Sequence, residues 1–308
     1  MADILYCFDT NYNSQALVSI TSLIENMDED VNVHLINDNP EKFSKKYLSK
    51  LSATNINFFL YKFQDTNYNF PRIHGTHISA ATYYRMFIAN YLSPEIKSIL
   101  YLDADTVINK NLLKDIDLIS NNIFKNDILF AASSEEKFEE PTKRLNMNSN
   151  RYFNAGVMII NFQKWIKDDV GSNLLSIMNE KYNNILWWDQ DILNSYADGN
   201  YLEISREINH RTNFHTFENK EDIKVYHFLG DLKPWNPITI GSDYSEIYQQ
   251  YYRKATDKKY HIEIKNKTFN KTFRNLVTKN ENRNLEFKTQ FFFLFLKSIF
   301  VYIKNFFK

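Results

Sequence analysis

The 308-residue chain carries 37 Lys and Arg against 37 Asp and Glu, so its formal charge is zero and no global field draws it to nucleic acid. Hydrophobic residues make up 44% and aromatics 16%, enough to bury a substantial core and too much for a disordered chain. A single cysteine, Cys7, excludes an intrachain disulfide and a four-cysteine zinc site, and fits a reducing compartment.

At the N-terminus, Asp3 and a short apolar run differ from the basic-then-apolar pattern of a secretion signal, and a cytoplasmic location is expected. That run, Ile4 to Phe8, predicts a strand ending at Asp9-Thr10-Asn11-Tyr12-Asn13, and Leu17, Ile20, Leu23, Ile24 and Met27 then recur at helical spacing. Val31 to Ile36 predicts a second strand, closed by Asn37-Asp38-Asn39-Pro40 and followed by a charged helix to about Leu51. Ile56 to Phe63 is a third, and Ile99 to Leu102 a fourth that ends at Asp103-Ala104-Asp105. Further strands are expected at Ile128 to Ala132, Val157 to Asn161 and Val225 to Phe228, with helices around 162–182 and 189–198. Strands alternating with helices imply an α/β fold with a mostly parallel sheet covered on both faces. In such sheets ligands bind beyond the carboxyl ends of the strands, where Asp9, Asn11, Asp103 and Asp105 fall. No repeat or linker interrupts residues 1–255, which suits one continuous domain; beyond Tyr252 the sequence turns Lys/Asn-rich, and 256–308 is expected to be a helical extension.

Side chains at i and i+2 of an extended segment face one way about 7 Å apart, so Asp103 and Asp105 can converge on one divalent cation. Hard carboxylate oxygens favour Mg or Mn, with open positions suited to diphosphate oxygens. Spacing alone does not single this pair out, because Asp-x-Asp also occurs at 28/30, 115/117 and 189/191. The pair at 103/105 differs from the first two of these in ending an apolar strand, whose buried neighbours hold the carboxylates rigidly. The alternative is an aspartate that caps a helix or turn.

Three later stretches add weight. Arg151-Tyr152-Phe153-Asn154-Ala155-Gly156-Val157-Met158 reads as a small turn before a strand, where backbone and the Asn154 amide can approach a sugar ring. Trp187-Trp188-Asp189-Gln190-Asp191-Ile192-Leu193-Asn194 joins two aromatics to acids at a helix start; a capped helix with core tryptophans accounts for it as well. His227-Phe228-Leu229-Gly230-Asp231-Leu232-Lys233-Pro234-Trp235 ends a strand with a possible metal ligand, and Lys233 can fold back onto phosphate.

In this order the motifs resemble those of the family-8 glycosyltransferases, over about residues 3–255. The resemblance implies a GT-A fold, a UDP-sugar donor, Mn2+ or Mg2+, and transfer of a hexose, galactose or glucose, with retention of anomeric configuration. It implies that Asp103, Asp105 and His227 hold the metal and that Gly230 and Lys233 face the diphosphate. Cys7, Asp9, Asn11 and Tyr12 match the nucleoside positions, Ala104 sits within the acidic motif, and Arg85, in Ile78-Ser79-Ala80-Ala81-Thr82-Tyr83-Tyr84-Arg85, matches the donor-binding arginine. Asn154, Gly156, Asp189 and Gln190 are implied to line the sugar. Two departures bear on the acceptor: Ser133-Ser134-Glu135-Glu136 shows no obvious acceptor-binding acid, and Asp231-Leu232 is an unusual filling between Gly230 and Lys233.

For the chemistry, a cation with Lys233 and Arg85 would stabilise the departing diphosphate. Gln190 is a poor nucleophile and Asp189 the better-charged neighbour; front-side attack is preferred because no unambiguous carboxylate nucleophile is apparent. The acceptor is expected to be a glycan, in lipopolysaccharide or another surface glycan, or a lipid-linked one. In residues 288–308, Gln290, Lys297, Lys304 and Lys308 fall near one helical stripe with Phe and Ile around it, which predicts an interfacial helix at a membrane surface rather than a span of about 20 apolar residues. Docking of that helix on protein is the alternative. Two rival functions remain: a haloacid-dehalogenase-type phosphatase, from Ile99 to Ile108, and a non-catalytic carbohydrate-binding protein on the same fold.

Overall fold

The computed structural model describes residues 1–51, 55–64, 68–71, 79–212, 221–230, 233–236, 239 and 242–263. The chain packs as two compact units, Met1–His227 and Phe228 onward.

The first unit is built on a seven-stranded sheet. Its strands are β1 (Ala2–Phe8), β2 (Val31–Asn37), β3 (Ile56–Lys62), β4 (Ser98–Leu102), β6 (Phe130–Ser134), β7 (Phe153–Asn161) and β8 (Leu202–Glu203), in the order β3-β2-β1-β4-β7-β6-β8. A smaller sheet joins β5 (Thr106–Ile108), β9 (His210–Arg211) and β10 (Val225–His227) in the order β5-β10-β9. Only β7 opposes its neighbours β4 and β6; the other pairings of the large sheet are parallel, so the mostly parallel α/β expectation is met. Central β1 is buried continuously from Ile4 to Phe8, as a strand covered on both faces requires, whereas edge strand β3 alternates between exposure and burial.

Two apolar layers sandwich this sheet. One gathers Ile4, Tyr6, Phe8, Val31, Val33 and Leu35 against Ala16, Ile20 and Leu23 of α1 (Asn13–Asn26). The other gathers Leu5, Cys7, Tyr101 and Met158 against Met86 and Phe87 of a 3-10 segment, Ala80–Asn90, and against α6 (Val170–Glu180). The remaining helices of this unit are α2 (Pro40–Lys46), α3 (Leu113–Lys125), α4 (Glu139–Arg144), α5 (Phe162–Lys167) and α7 (Trp188–Ala197).

Two expectations need correction. The helix expected over 162–182 is broken into α5 and α6 because Asp169 adopts a left-handed φ of 45°, which no continuous helix accommodates. Asn154-Ala155-Gly156 is strand, not a turn before one: β7 begins at Phe153 and all nine residues are buried. The irregularity lies in its register with β6, which shifts between Ala132 and Ser133 so that Met158 and then Asn154 are the successive partners.

The second unit contains α8 (Asp243–Ala255), capped by the Ser242 hydroxyl, which accepts from Ser245 N. Tyr248 and Tyr252 of α8 stack on His261, and Trp235 stacks there too. The Gln249 amide donates to the carbonyls of Pro234 and His261. No helix among the described residues is long and apolar enough to cross a membrane. The predicted interfacial segment at 288–308 lies outside the described residues.

Candidate active site

Asp103 follows β4 directly, and its turn is anchored from both sides. The Asp103 N–H donates to Gly156 O at 2.8 Å, and the Thr106 hydroxyl donates to Asp103 O at 2.8 Å. Strand β10 runs antiparallel to β5, which brings His227 opposite Thr106 and hence beside the acidic turn. The imidazole Nε2 lies 3.6 Å from Asp103 Oδ2 and 3.6 Å from Asp105 Oδ1. One ligand atom from each of the three residues lies within 4.8 Å of the others, the span of side chains that can share one ion.

Gly156 makes this approach possible. A Cβ built there would fall 2.0 Å from His227 Cε1, 2.6 Å from Nε2 and 2.7 Å from Asp103 Oδ2. The far nitrogen of the imidazole, Nδ1, bonds Asn209 Oδ1 at 3.0 Å. Asn209 N–H groups in turn donate to Asn154 Oδ1 at 3.0 Å. Two acids and an imidazole with its second nitrogen occupied fit a hard divalent cation such as Mn2+ or Mg2+, and nothing in the set selects between those two.

Arg85 lies behind the acidic turn, on the 3-10 segment. It is 4% exposed, and its guanidinium is fully engaged: Nη1 donates to Ala155 O at 2.5 Å, Nη2 donates to Asp103 Oδ1 at 2.9 Å, and Nε approaches Asp189 Oδ2 to 2.6 Å. The last contact is an ion pair without hydrogen-bond alignment. The guanidinium also sits 3.9 Å over the Tyr101 ring, and Tyr101 OH donates to Asp103 Oδ1 at 2.8 Å. Burial pulls the Arg85 pKa down, but Asp189, Tyr101 and Asp103 more than reverse this, so the guanidinium stays charged. Burial pushes the Asp189 carboxyl up to about 7, with Arg85 opposing the shift and Asp103 reinforcing it. Burial likewise pushes the Cys7 thiol up, against the pull of Arg85. Cys7 is a buried β1 side chain beside this charge cluster.

Asp189 and Gln190 lie in the first turn of α7, which Trp188 opens with a φ of 49° that is strained for a bulky residue. Gln190 Oε1 accepts from Ala155 N at 3.0 Å and from Asn154 Nδ2 at 3.4 Å, which joins α7 to the Asn154–Gly156 stretch. Asp191, the second acid of the motif, shares Tyr152 OH with Gln190, whose Nε2 donates to that hydroxyl at 3.4 Å. Asp191 is fully buried and accepts from Leu186 N, Trp187 N, Arg144 Nη1 and the Tyr152 hydroxyl at 2.6–2.8 Å. The other pairs of the same spacing also have partners of their own: Asn111 binds Asp28, and Lys224 pairs with Asp115 at 2.7 Å.

At the end of β1, Asp9 Oδ1 accepts from Asn11 N and its Oδ2 from the Asn11 amide. Asp38, which the sequence reading passed over, accepts from Thr10 N at 2.9 Å and from the Thr10 hydroxyl at 2.7 Å, stapling this loop to the end of β2. Tyr12 closes the same turn through Tyr12 N to Asp9 O at 3.0 Å, and Ala104 is buried within the acidic turn. Gly230 and Lys233 belong to the second unit. Gly230 has φ of 71°, which only glycine adopts without strain, and Lys233 Nζ donates to Phe228 O at 2.6 Å.

Sequence reasoning missed Tyr101, Asn209, Glu135 and Arg144. Tyr101 is legible in hindsight, since it shares a strand face with Asp103. Glu135, in the loop that showed no obvious acid, accepts from Asn154 Nδ2 at 2.9 Å and pairs with Arg211.

The mostly parallel α/β sheet thus brings two acids and a histidine within reach of one cation beyond its strand ends. Residues 3–239 match the family model described as glycosyl transferase family 8, and the chain belongs to that family. General stress protein A of Bacillus subtilis (strain 168) is 27% identical over 261 residues, covering 77% of this chain and 88% of that protein. A lipopolysaccharide 1,2-glucosyltransferase of Escherichia coli is 27% identical over 281 residues, covering 83% and 82%. Among solved structures, the galactosyltransferase LgtC in complex with donor and acceptor sugar analogues is similar in fold, with TM-score 0.66 at 21% identity, over 87% of this chain and 99% of that one. The protein is therefore a glycosyltransferase, and the phosphatase and binding-module readings are not favoured.

Proposed function

We propose that this enzyme transfers galactose or glucose from a UDP-hexose to a glycan acceptor with retention of configuration, in the synthesis of lipopolysaccharide or another surface glycan. The observation that carries this reading is the meeting of Asp103, Asp105 and His227 within 4.8 Å at the carboxyl end of the sheet. A Mn2+ or Mg2+ ion bound there supplies Lewis-acid stabilisation of the departing diphosphate. Cys7, Asp9, Asn11 and Tyr12 serve the nucleoside; Gly230 and Lys233 serve the diphosphate. Asn154, Gly156, Asp189 and Gln190 line the hexose.

In the reaction the bond from the anomeric carbon to the diphosphate oxygen breaks while a bond to the acceptor oxygen forms. The acceptor proton passes to the leaving diphosphate. Arg85 acts through the field it lays behind Asp103, holding both Asp103 and Asp189 by charge. Front-side attack suits the pocket because Asp189 is buried against Arg85 and Gln190 Oε1 already accepts two hydrogen bonds. We assign this chemistry to residues 1–255 and treat 256–308 as an extension whose segment 288–308 lies on an anionic membrane surface, near a lipid-linked acceptor.

A screen of UDP-glucose, UDP-galactose and their N-acetyl forms, scored by UDP release with Mn2+, tests the donor assignment; release from none of them, with and without candidate acceptors, rejects it. Deletion of 288–308 should abolish sedimentation with anionic liposomes. Unchanged sedimentation of the truncated chain removes the membrane role.

A further inference from the structure

The metal-ligand reading of His227 requires a neutral imidazole with its proton on Nδ1, and one backbone N–H selects that tautomer at a distance. Gly156 N–H can only donate, and it donates to Asn154 Oδ1 at 3.1 Å, which sets which end of the Asn154 amide is oxygen. The Asn209 atom 3.0 Å from that oxygen must then be its NH2 group. The other end of the Asn209 amide is therefore oxygen, and it faces His227 Nδ1 at 3.0 Å, so Nδ1 must carry the proton. Of the two neutral tautomers this selects the one whose Nε2 lone pair lies on the Asp103–Asp105 side. Asn209 is fully buried, and both ends of its amide are used within this chain of bonds.

We infer that Asn209 is a positioning residue that couples cation binding at His227 to hexose binding at Asn154. The inference rests on the metal and donor reading above. Asn209 bridges the two groups, so a shift of either side chain is passed to the other through one rigid amide. The strand segment Asn154–Gly156, itself fixed by Gln190 and Arg85 at Ala155, supplies the polarity that selects the imidazole tautomer.

The test uses the full chain as wild type, His227→Ala, Asn209→Ala and Asn209→Asp. Mn2+ affinity is read by electron paramagnetic resonance, UDP and UDP-hexose affinity by calorimetry, and the His227 tautomer by 15N chemical shifts without metal. Wild type should show the Nδ1-protonated tautomer, and Asn209→Ala should lose it and weaken Mn2+ binding by about 10-fold or more. Asn209→Asp retains an oxygen for Nδ1 but presents no N–H to Asn154. It should keep most of the Mn2+ affinity and lose the extra affinity that UDP-hexose has over UDP. The inference is overturned if wild type holds the other tautomer, or if Asn209→Ala binds Mn2+ like wild type while His227→Ala does not. Retention of the sugar increment by folded Asn209→Asp overturns it as well. Equal Mn2+ binding by wild type and His227→Ala rejects the metal reading instead, and the tautomer and sugar increment then decide the relay by themselves.

Discussion

Gly156 and His227 occupy positions that exclude any side chain between them: a methyl group on residue 156 would overlap the imidazole, 2.0 Å from Cε1. The glycine is demanded here by proximity rather than by backbone angle. Gly156→Ala should displace His227 and Asp103, weakening Mn2+ binding by about 10-fold or more while costing about 1–3 kcal/mol of stability. Metal titration and denaturant unfolding check both figures. Wild-type Mn2+ affinity in the alanine variant would show that the imidazole does not need this space.

Removing charge from either acid should stop turnover without unfolding the protein. Asp103→Asn or Asp105→Asn is expected to lower kcat by about 10²-fold or more, the scale on which electrostatic stabilisation of a leaving group is lost. Steady-state rates with Mn2+, alongside circular dichroism, decide this. Near-normal turnover would count against metal-assisted departure.

Asp189 should reveal its burial in the pH dependence of stability. Its folded pKa, about 7, exceeds the roughly 3.9 of an unfolded aspartate, so the folded state binds the proton more tightly. Its contribution to stability is therefore complete below about pH 4 and disappears as pH rises through about 7. Urea unfolding of metal-free wild type and Asp189→Asn should show the wild type losing ground across that window and no further change above it. A constant difference between the two would mean that the carboxyl is not raised.

Arg144 pairs with fully buried Asp191 at 2.8 Å. Arg144→Met leaves that carboxylate without its cation and should cost about 3–5 kcal/mol. Combining it with Asp191→Asn should recover part of the loss, so the double variant falls short of the sum. Strict additivity in unfolding experiments would deny the pairing.

The candidate site was unevenly legible in the chain. Asp103 and Asp105 were readable because both sit within three residues of the end of an apolar strand, where local pattern fixes direction. Asp189, Asp191 and Asp115 have the same spacing, yet Asp189 meets Arg85, Asp191 meets Arg144 and Asp115 meets Lys224. No local rule separates these fates, since each partner is brought in from a distant element.

The alternation of apolar runs and helical periods by itself determined an α/β sheet and the strand ends at which its acids lie, because side-chain direction along a strand or helix is a local property. Tertiary structure alone decided that β7 runs against its neighbours, that β10 delivers His227 opposite Thr106, and that Asn209 stands between the imidazole and Asn154. Those are contacts between residues 18 to 121 positions apart, set by how strands pair and not by what any one segment prefers.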